Sequence, residues 1–220
     1  LEYVANLCKK HNALFHSDTV QSVGRYPLDL SKIPIDFLAA SAHKFHGPKG
    51  VGFAFVRSGF GLQPIITGGA QERGYRAGTE SIHDIVGMDA SLEIAYKNIV
   101  YEKDFILSLK TYFIDRLKEE ICGIEFNGCS DDFSKSTYTL VNVCLPVAQE
   151  KAPLFLFQLD LKGIACSKGS ACQSGSTVGS HVLNEVLSKE NLKKPSIRFS
   201  FSCFNTCLLY TSDAADDAHG

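Results

Sequence analysis

Apolar positions along this chain follow two different periods, and the change between them organises it. Leu1, Val4, Ala5 and Cys8 recur at helical spacing, so the chain opens in an amphipathic helix. Three short apolar runs follow: "NALFHSD" (12–18), "FLAASAH" (37–43) and "GVGFAFV" (50–56). Turn residues bound each run, so each reads as a strand. Short apolar strands separated by loops or helices predict an α/β sheet buried on both faces.

From residue 82 to about 123 the period turns helical. Ile82, Ile85, Met88, Leu92 and Ala95 line one broad face, and Phe105, Leu109, Phe113, Ile114 and Leu117 a second. A further strand is predicted at 137–146, a helix at 152–163 closed by Gly163, and a strand at 196–202. A domain boundary falls within the long helical stretch. Residues 1–100 then form part of a large domain, and 101–204 a smaller α/β domain. Residues 205–220 are small and acidic, break the strand pattern, and are expected to be disordered or foreign to the domain. The chain starts without Met inside an uncapped helix, so it is expected to be a fragment, inactive and poorly folded alone.

Composition removes several classes. A net charge of -2 gives no general affinity for nucleic acid or membrane surfaces. No apolar run approaches the ~18 residues that span a bilayer, and no signal peptide is visible. The eight cysteines contain no CxxC pair, so neither a structural zinc site nor a disulfide framework is indicated. Most are expected to be buried thiols of a cytoplasmic protein.

Candidate chemistry collects where the predicted strands end. Asp18 closes the first, "SAHKFHGPKG" (41–50) follows the second, and a glycine-rich polar loop, "GGAQERGYRAGTES" (68–81), follows the third. In an extended segment Ser41 and His43 share a face, and with Lys44 they suit a phosphate. A carboxylate at Asp18 suits a protonated ring nitrogen. Pyridoxal 5'-phosphate (PLP) needs these features together: an amine for its aldehyde, donors for its phosphate and an acid for its ring. Each residue alone has a duller reading. Lys44 before Gly-Pro suits a turn, Asp18 a cap, Arg198 a salt bridge, and Cys172 a buried thiol. "HKFH" lacks a third metal ligand, and GxxxxGK[ST] is absent.

Four motifs in order, "HSDTVQS" (16–22), "SAHKFHGPKG", "GGAQERGYRAGTES" and "CSKGSACQSG" (166–175), resemble cysteine desulfurases of the NifS/IscS type, and "SIRFSFS" (196–202) adds a fifth. The resemblance runs from Leu1 to Phe204. It implies a fold-type I PLP-dependent transferase, α/β, with part of a large mixed-sheet domain and a small C-terminal domain. It also assigns roles. Lys44 matches the Schiff-base lysine, Asp18 the ring-nitrogen partner, and Gln21 the group at the ring hydroxyl. Ser41 and His43 match phosphate ligands, and Thr79 a threonine that reaches the other subunit's phosphate in a homodimer. Arg198 matches the clamp on the substrate carboxylate.

Cys172 matches the thiol that receives sulfur from L-cysteine. Through its persulfide it is also the one candidate metal ligand, as a transient iron-sulfur ligand. The partners implied are the second subunit and an iron-sulfur scaffold or other sulfur acceptor. A selenocysteine lyase or another class V enzyme is the alternative of the same fold. A non-catalytic sulfur-relay or scaffold-binding fragment is the alternative of another class. The family's upstream region, with a histidine over the ring and a first phosphate-binding turn, has no counterpart here.

Overall fold

The computed structural model describes residues 1–147, 152–167 and 180–206. The chain divides into two compact units, Leu1–Val100 and Tyr101–Gly220. The division falls inside one long helix.

In the first unit, α1 (Glu2–Lys10) has Glu2 in its first turn and Lys9 and Lys10 in its last, which suits the helix dipole. Then come β1 (His16–Asp18), β2 (Phe37–Ser41) and β3 (Gly52–Val56). They form a mixed sheet in sequence order, β1 parallel and β3 antiparallel to β2. All three strands are shorter than their apolar runs, the first two for visible reasons. Before β1, Asn12 is left-handed (φ 52) and the Phe15 N–H donates to Asp36 Oδ2 at 2.8 Å, so the paired register starts only at His16, with the Phe15 carbonyl accepting the Phe37 N–H at 3.1 Å. After Ser41 the chain coils into a 3-10 turn, Ala42–Phe45, in place of the last two strand residues expected.

One face of this sheet is packed. Leu38 and Ala40 are buried on it, opposite Phe55 and Phe53. Leu38 clusters with Ala5 of α1 and Ile35, and Ala40 with Val23, Ala42, Phe45 and Ala95. Burial of such aliphatic and aromatic side chains contributes roughly 1.5–3 kcal/mol each. Expected cover on both faces is not found among the described residues: Ala54, on the other face, is exposed.

The long helix, α2 (Ile82–Glu120), is continuous over 39 residues. Met88, Leu92 and Ala95 pack into the first unit's core. In the second unit come β4 (Glu125–Phe126), β5 (Leu140–Cys144), α3 (Ala152–Leu161), α4 (His181–Val186) and β6 (Ser196–Ser200). The strands form an antiparallel sheet in the order β4-β5-β6. Val141, Val143 and Ile197 are at most 1% exposed. Phe113 of α2 has its ring 4.9 Å from that of Phe199 and 5.5 Å from that of Phe201.

Lys110 of α2 is also fully buried. Its Nζ donates to Ser136 Oγ and to the Thr137 carbonyl, both at 2.8 Å, and lies 5.5 Å from the centre of the Phe133 ring. Burial holds its pKa below the ordinary 10.5, against an opposing pull from Asp131.

The cysteines depart from expectation. Of the described ones, all free thiols, only Cys144 is buried, and Cys122 and Cys129 are exposed. No described helix is long and apolar enough to cross a membrane. The tail from residue 207 lies outside the described residues.

Candidate active site

Because β1 and β2 are parallel, their carboxyl ends lie at one edge of the sheet, where ligands of α/β proteins bind. Asp18 is the last residue of β1 and is exposed. Its Oδ1 accepts the Val20 N–H at 2.9 Å, and Oδ2 has no hydrogen bond among the described residues. The next residue fixes the chain. Thr19 is fully buried, and its N–H and Oγ1 both donate to the Ala39 carbonyl, at 2.9 and 2.8 Å. Gln21 stands exposed on the turn that follows, which closes through Ser22 and Val23 N–H donation to the Thr19 carbonyl.

The Ser41-His43-Lys44 group sits at the same edge with a geometry that differs from an extended strand. Ser41 is the last strand residue (φ -128, ψ 127), and His43 and Lys44 belong to the 3-10 turn, so the period-two reading of Ser41 and His43 fails. A 3-10 turn repeats every three residues, which puts Ala42 and Phe45 on one side. Both are buried. They anchor the turn and leave Ser41 and Lys44 half-buried and His43 exposed. His46 (φ 66) reverses the chain, and Gly47 N–H donates to the Ala42 carbonyl at 2.9 Å. Gly47 has no room for a side chain, since a Cβ would lie 2.6 Å from Ser91 Oγ and 2.9 Å from the Ala42 Cβ. The Lys44 amine makes no hydrogen bond or ion pair among the described residues.

One participant escaped the sequence reading. Arg25 donates from Nη2 to the Lys44 carbonyl at 3.2 Å. A lone basic residue in a polar turn carries no signal for such a bond.

Thr79 is exposed on the glycine-rich loop, and no bond joins it to the Lys44 group. The loop organises itself. Arg76 donates from Nη1 to the Gly78 carbonyl at 2.8 Å and from Nη2 to Glu72 Oε1 at 2.9 Å, and the Gly78 N–H donates to Gln71 Oε1 at 3.1 Å. Gly78, the residue before Thr79, is therefore held through both its N–H and its carbonyl.

Arg198 belongs to the second unit, on β6 opposite Asn142. Its backbone bonds reciprocally with Ser167, at 2.8 and 3.1 Å. Its side-chain Nε is buried without a hydrogen-bond partner among the described residues. Such a donor costs about 1–3 kcal/mol while unmatched, so it suits a site that receives an acceptor. Beside it, Asn127 Nδ2 donates to Asn142 Oδ1 and Ser196 Oγ, at 3.0 and 2.9 Å. Cys172, with Lys168 and the rest of its loop, lies outside the described residues. Cys166 is half-buried, and burial pushes its pKa up, which disfavours the reactive thiolate. Among the described residues no group of three or more His, Cys, Asp or Glu is placed to hold a metal.

The donor set at the sheet edge fits PLP. A carboxylate with a free oxygen, a hydroxyl, an imidazole and an amine without a partner follow two adjacent parallel strands.

The aminotransferase class-V family model matches residues 1–207. The chain is 35% identical over 218 residues to "Cysteine desulfurase IscS" of Dictyoglomus turgidum, covering 98% of this chain and 54% of that protein. It is 37% identical over 208 residues to "Cysteine desulfurase, mitochondrial" of Arabidopsis thaliana, covering 94% and 44%. Among solved structures it resembles a NifS-like protein at 31% identity and TM-score 0.78, covering 93% of this chain and 52% of that one. The NifS-like protein from Rickettsia africae aligns with TM-score 0.79 at 28% identity, covering 94% and 53%. The chain thus spans about half the length of the curated relatives it matches.

Proposed function

The chain belongs to the aminotransferase class-V family, and from that premise we propose that the whole protein is a PLP-dependent cysteine desulfurase. Lys44 carries this reading: an amine without a partner, on a turn anchored by Ala42 and Phe45, at the edge where Asp18 ends the neighbouring parallel strand. PLP, when bound, supplies an aldehyde for that amine and a protonated ring that accepts electrons from the substrate carbon.

The chain's own residues divide the remaining work. The free Oδ2 of Asp18 holds the ring-nitrogen proton, and Gln21 meets the ring hydroxyl. Ser41 and His43 donate to the phosphate, joined by Thr79 from a second subunit in a homodimer. Arg198 orients the carboxylate of L-cysteine through its guanidinium, whose Nε has no partner among the described residues. Cys172 takes the sulfur: its thiolate attacks the substrate sulfur, the substrate C–S bond breaks and an S–S bond forms. The electron pair stays on carbon, which takes up a proton and leaves as L-alanine. L-cysteine and a thiol thereby give L-alanine and a persulfide, with no external oxidant or reductant. The Cys172 persulfide then passes to an iron-sulfur scaffold or a thiolation acceptor, with transient iron-sulfur ligation at Cys172. Free thiols at every described cysteine support a reducing compartment, which we take to be the cytoplasm.

The test is to incubate the whole protein with PLP and L-cysteine and to measure alanine and protein persulfide together. Equal amounts of both are expected in one turnover. Cys172→Ala should keep the bound cofactor and form no persulfide. Persulfide at Cys166 in place of Cys172, or alanine with no persulfide, would rule out the assignment.

A further inference from the structure

The turn that carries Lys44 is closed by backbone bonds. Ala42 N–H donates to the Val51 carbonyl at 3.0 Å, and the His46 and Gly47 N–H groups both donate to the Ala42 carbonyl, the latter at 2.9 Å. None of these bonds reaches the Lys44 carbonyl. Arg25 does, through its Nη2 bond to the Lys44 carbonyl across 19 residues of sequence.

Arg25 stands on a well-fixed base. The turn after β1 carries Gln21, Val23, Gly24 and Arg25, and Val23 is only 4% exposed. Gly24 is left-handed (φ 75) and lies so close to Phe45 that a Cβ would fall 2.6 Å from the Phe45 Cβ. The Tyr96 hydroxyl of α2 lies near the backbones of Gly24 and Leu28, and burial pushes its pKa up. A guanidinium suits this bond, because it is always charged, rigid and less strongly hydrated than an ammonium.

We propose that Arg25 is the positioning residue of the site. It fixes the Lys44 carbonyl and, with the Gly24–Phe45 contact, locks the turn bearing Gln21 to the turn bearing Lys44. The groups that meet the cofactor ring and the amine that bonds it then approach as one rigid piece. The functional part of this proposal rests on reading Lys44 as the cofactor-bonding lysine, but the mechanical part does not.

The experiment separates those two parts. Amide exchange over residues 42–47 is measured in the whole protein freed of PLP, for wild type, Arg25→Met and Arg25→Lys. Met keeps the length and removes the donor, whereas Lys keeps a donor and the charge. Exchange over 42–47 should speed up about tenfold in Arg25→Met, the size of one lost hydrogen bond. It should rise by a smaller factor in Arg25→Lys, while β2 stays protected in both. PLP is then added, and the borohydride-trapped bond at Lys44 should form more slowly in the Met variant, with partial recovery in the Lys variant.

Unchanged exchange over 42–47 overturns the proposal. Exchange raised equally over 42–47 and β2 also overturns it, since Arg25 would then support the unit as a whole. Should Arg25→Met not fold, the same exchange comparison on Arg25→Lys decides, with wild-type exchange counting against the proposal. A wild-type protein that traps no PLP at Lys44 overturns the functional reading instead, whatever the exchange shows.

Discussion

Two lysines show how differently the two units use the same side chain. Lys44 sits half-buried at the open edge of the first sheet, with a fixed backbone and an amine that bonds nothing among the described residues. Lys110 is fully buried on α2 in the second unit, with its amine bonded to Ser136 and Thr137 and set near the Phe133 ring. In the first case the protein restrains the main chain and leaves the nitrogen available. In the second, the nitrogen itself ties a loop to a helix. A buried cation is tolerated only when paired or hydrogen-bonded, and those bonds remove it from chemistry. Availability of the amine, more than the presence of a lysine, separates a reactive group from a structural one.

The sharpest way to break this comparison is Lys44→Ala. All covalent attachment of PLP and all alanine formation should disappear, because no other primary amine is proposed at that edge. The stability of the cofactor-free protein should stay within about 0.5 kcal/mol, as for surface substitutions generally. Mass spectrometry after borohydride reduction checks the first statement, and a denaturant midpoint the second. A reduced PLP adduct on another lysine, or a large loss of stability, would erase the contrast.

Arg198→Ala extends the comparison to a second available donor. Loss of a charge-assisted carboxylate clamp should weaken L-cysteine binding by on the order of 2–4 kcal/mol, tens to hundreds of fold. Folding should suffer little, because the Nε that is lost has no partner among the described residues. The Michaelis constant for L-cysteine is the readout, and an unchanged value contradicts the role.

The same contrast explains what could be read from sequence. Strand β2, the long helix and the order of the site motifs follow from local periodicity and local residue types, so they were legible. The 3-10 turn was not, because buried Ala42 and Phe45 look like a continued strand when only polarity is considered. Strand β4, two residues long, and α4, six residues long, carry too little pattern to register. Arg25 and Lys110 were missed for a third reason. Their partners are Lys44, Ser136 and Thr137, 19 to 27 residues away. No spacing rule along one helix or strand reports a bond that the tertiary fold creates. The candidate site residues could be nominated as a set because a cofactor needs several chemistries at once, but the groups that hold Lys44 and its neighbours in place could not.

The smallest expected effect comes from Lys110→Met, and its pH dependence sharpens the comparison. Met fills most of the same volume but removes the Lys110 bond to the Thr137 carbonyl, while Ser136 keeps its bonds to the Ser130 and Asp132 carbonyls. Loss of a hydrogen bond from a charged donor costs about 1.5–3 kcal/mol, partly offset because no charge is then desolvated. The sign with pH follows from the lowered pKa of the folded protein, which burial causes. Between that lowered value and the ordinary 10.5, the unfolded chain binds more proton than the folded one, so wild-type stability rises with pH through the window. Below the window the full cost of the buried charge is present. A neutral Lys110 amine still donates to Thr137, so the bond survives the titration. The advantage of wild type over Lys110→Met should therefore widen as pH climbs toward 10.5, while every other titrating group cancels in the difference. Urea midpoints of both proteins across that range test it. Parallel curves would mean that the amine is charged as easily inside the fold as outside it, which a fully buried Lys110 does not allow.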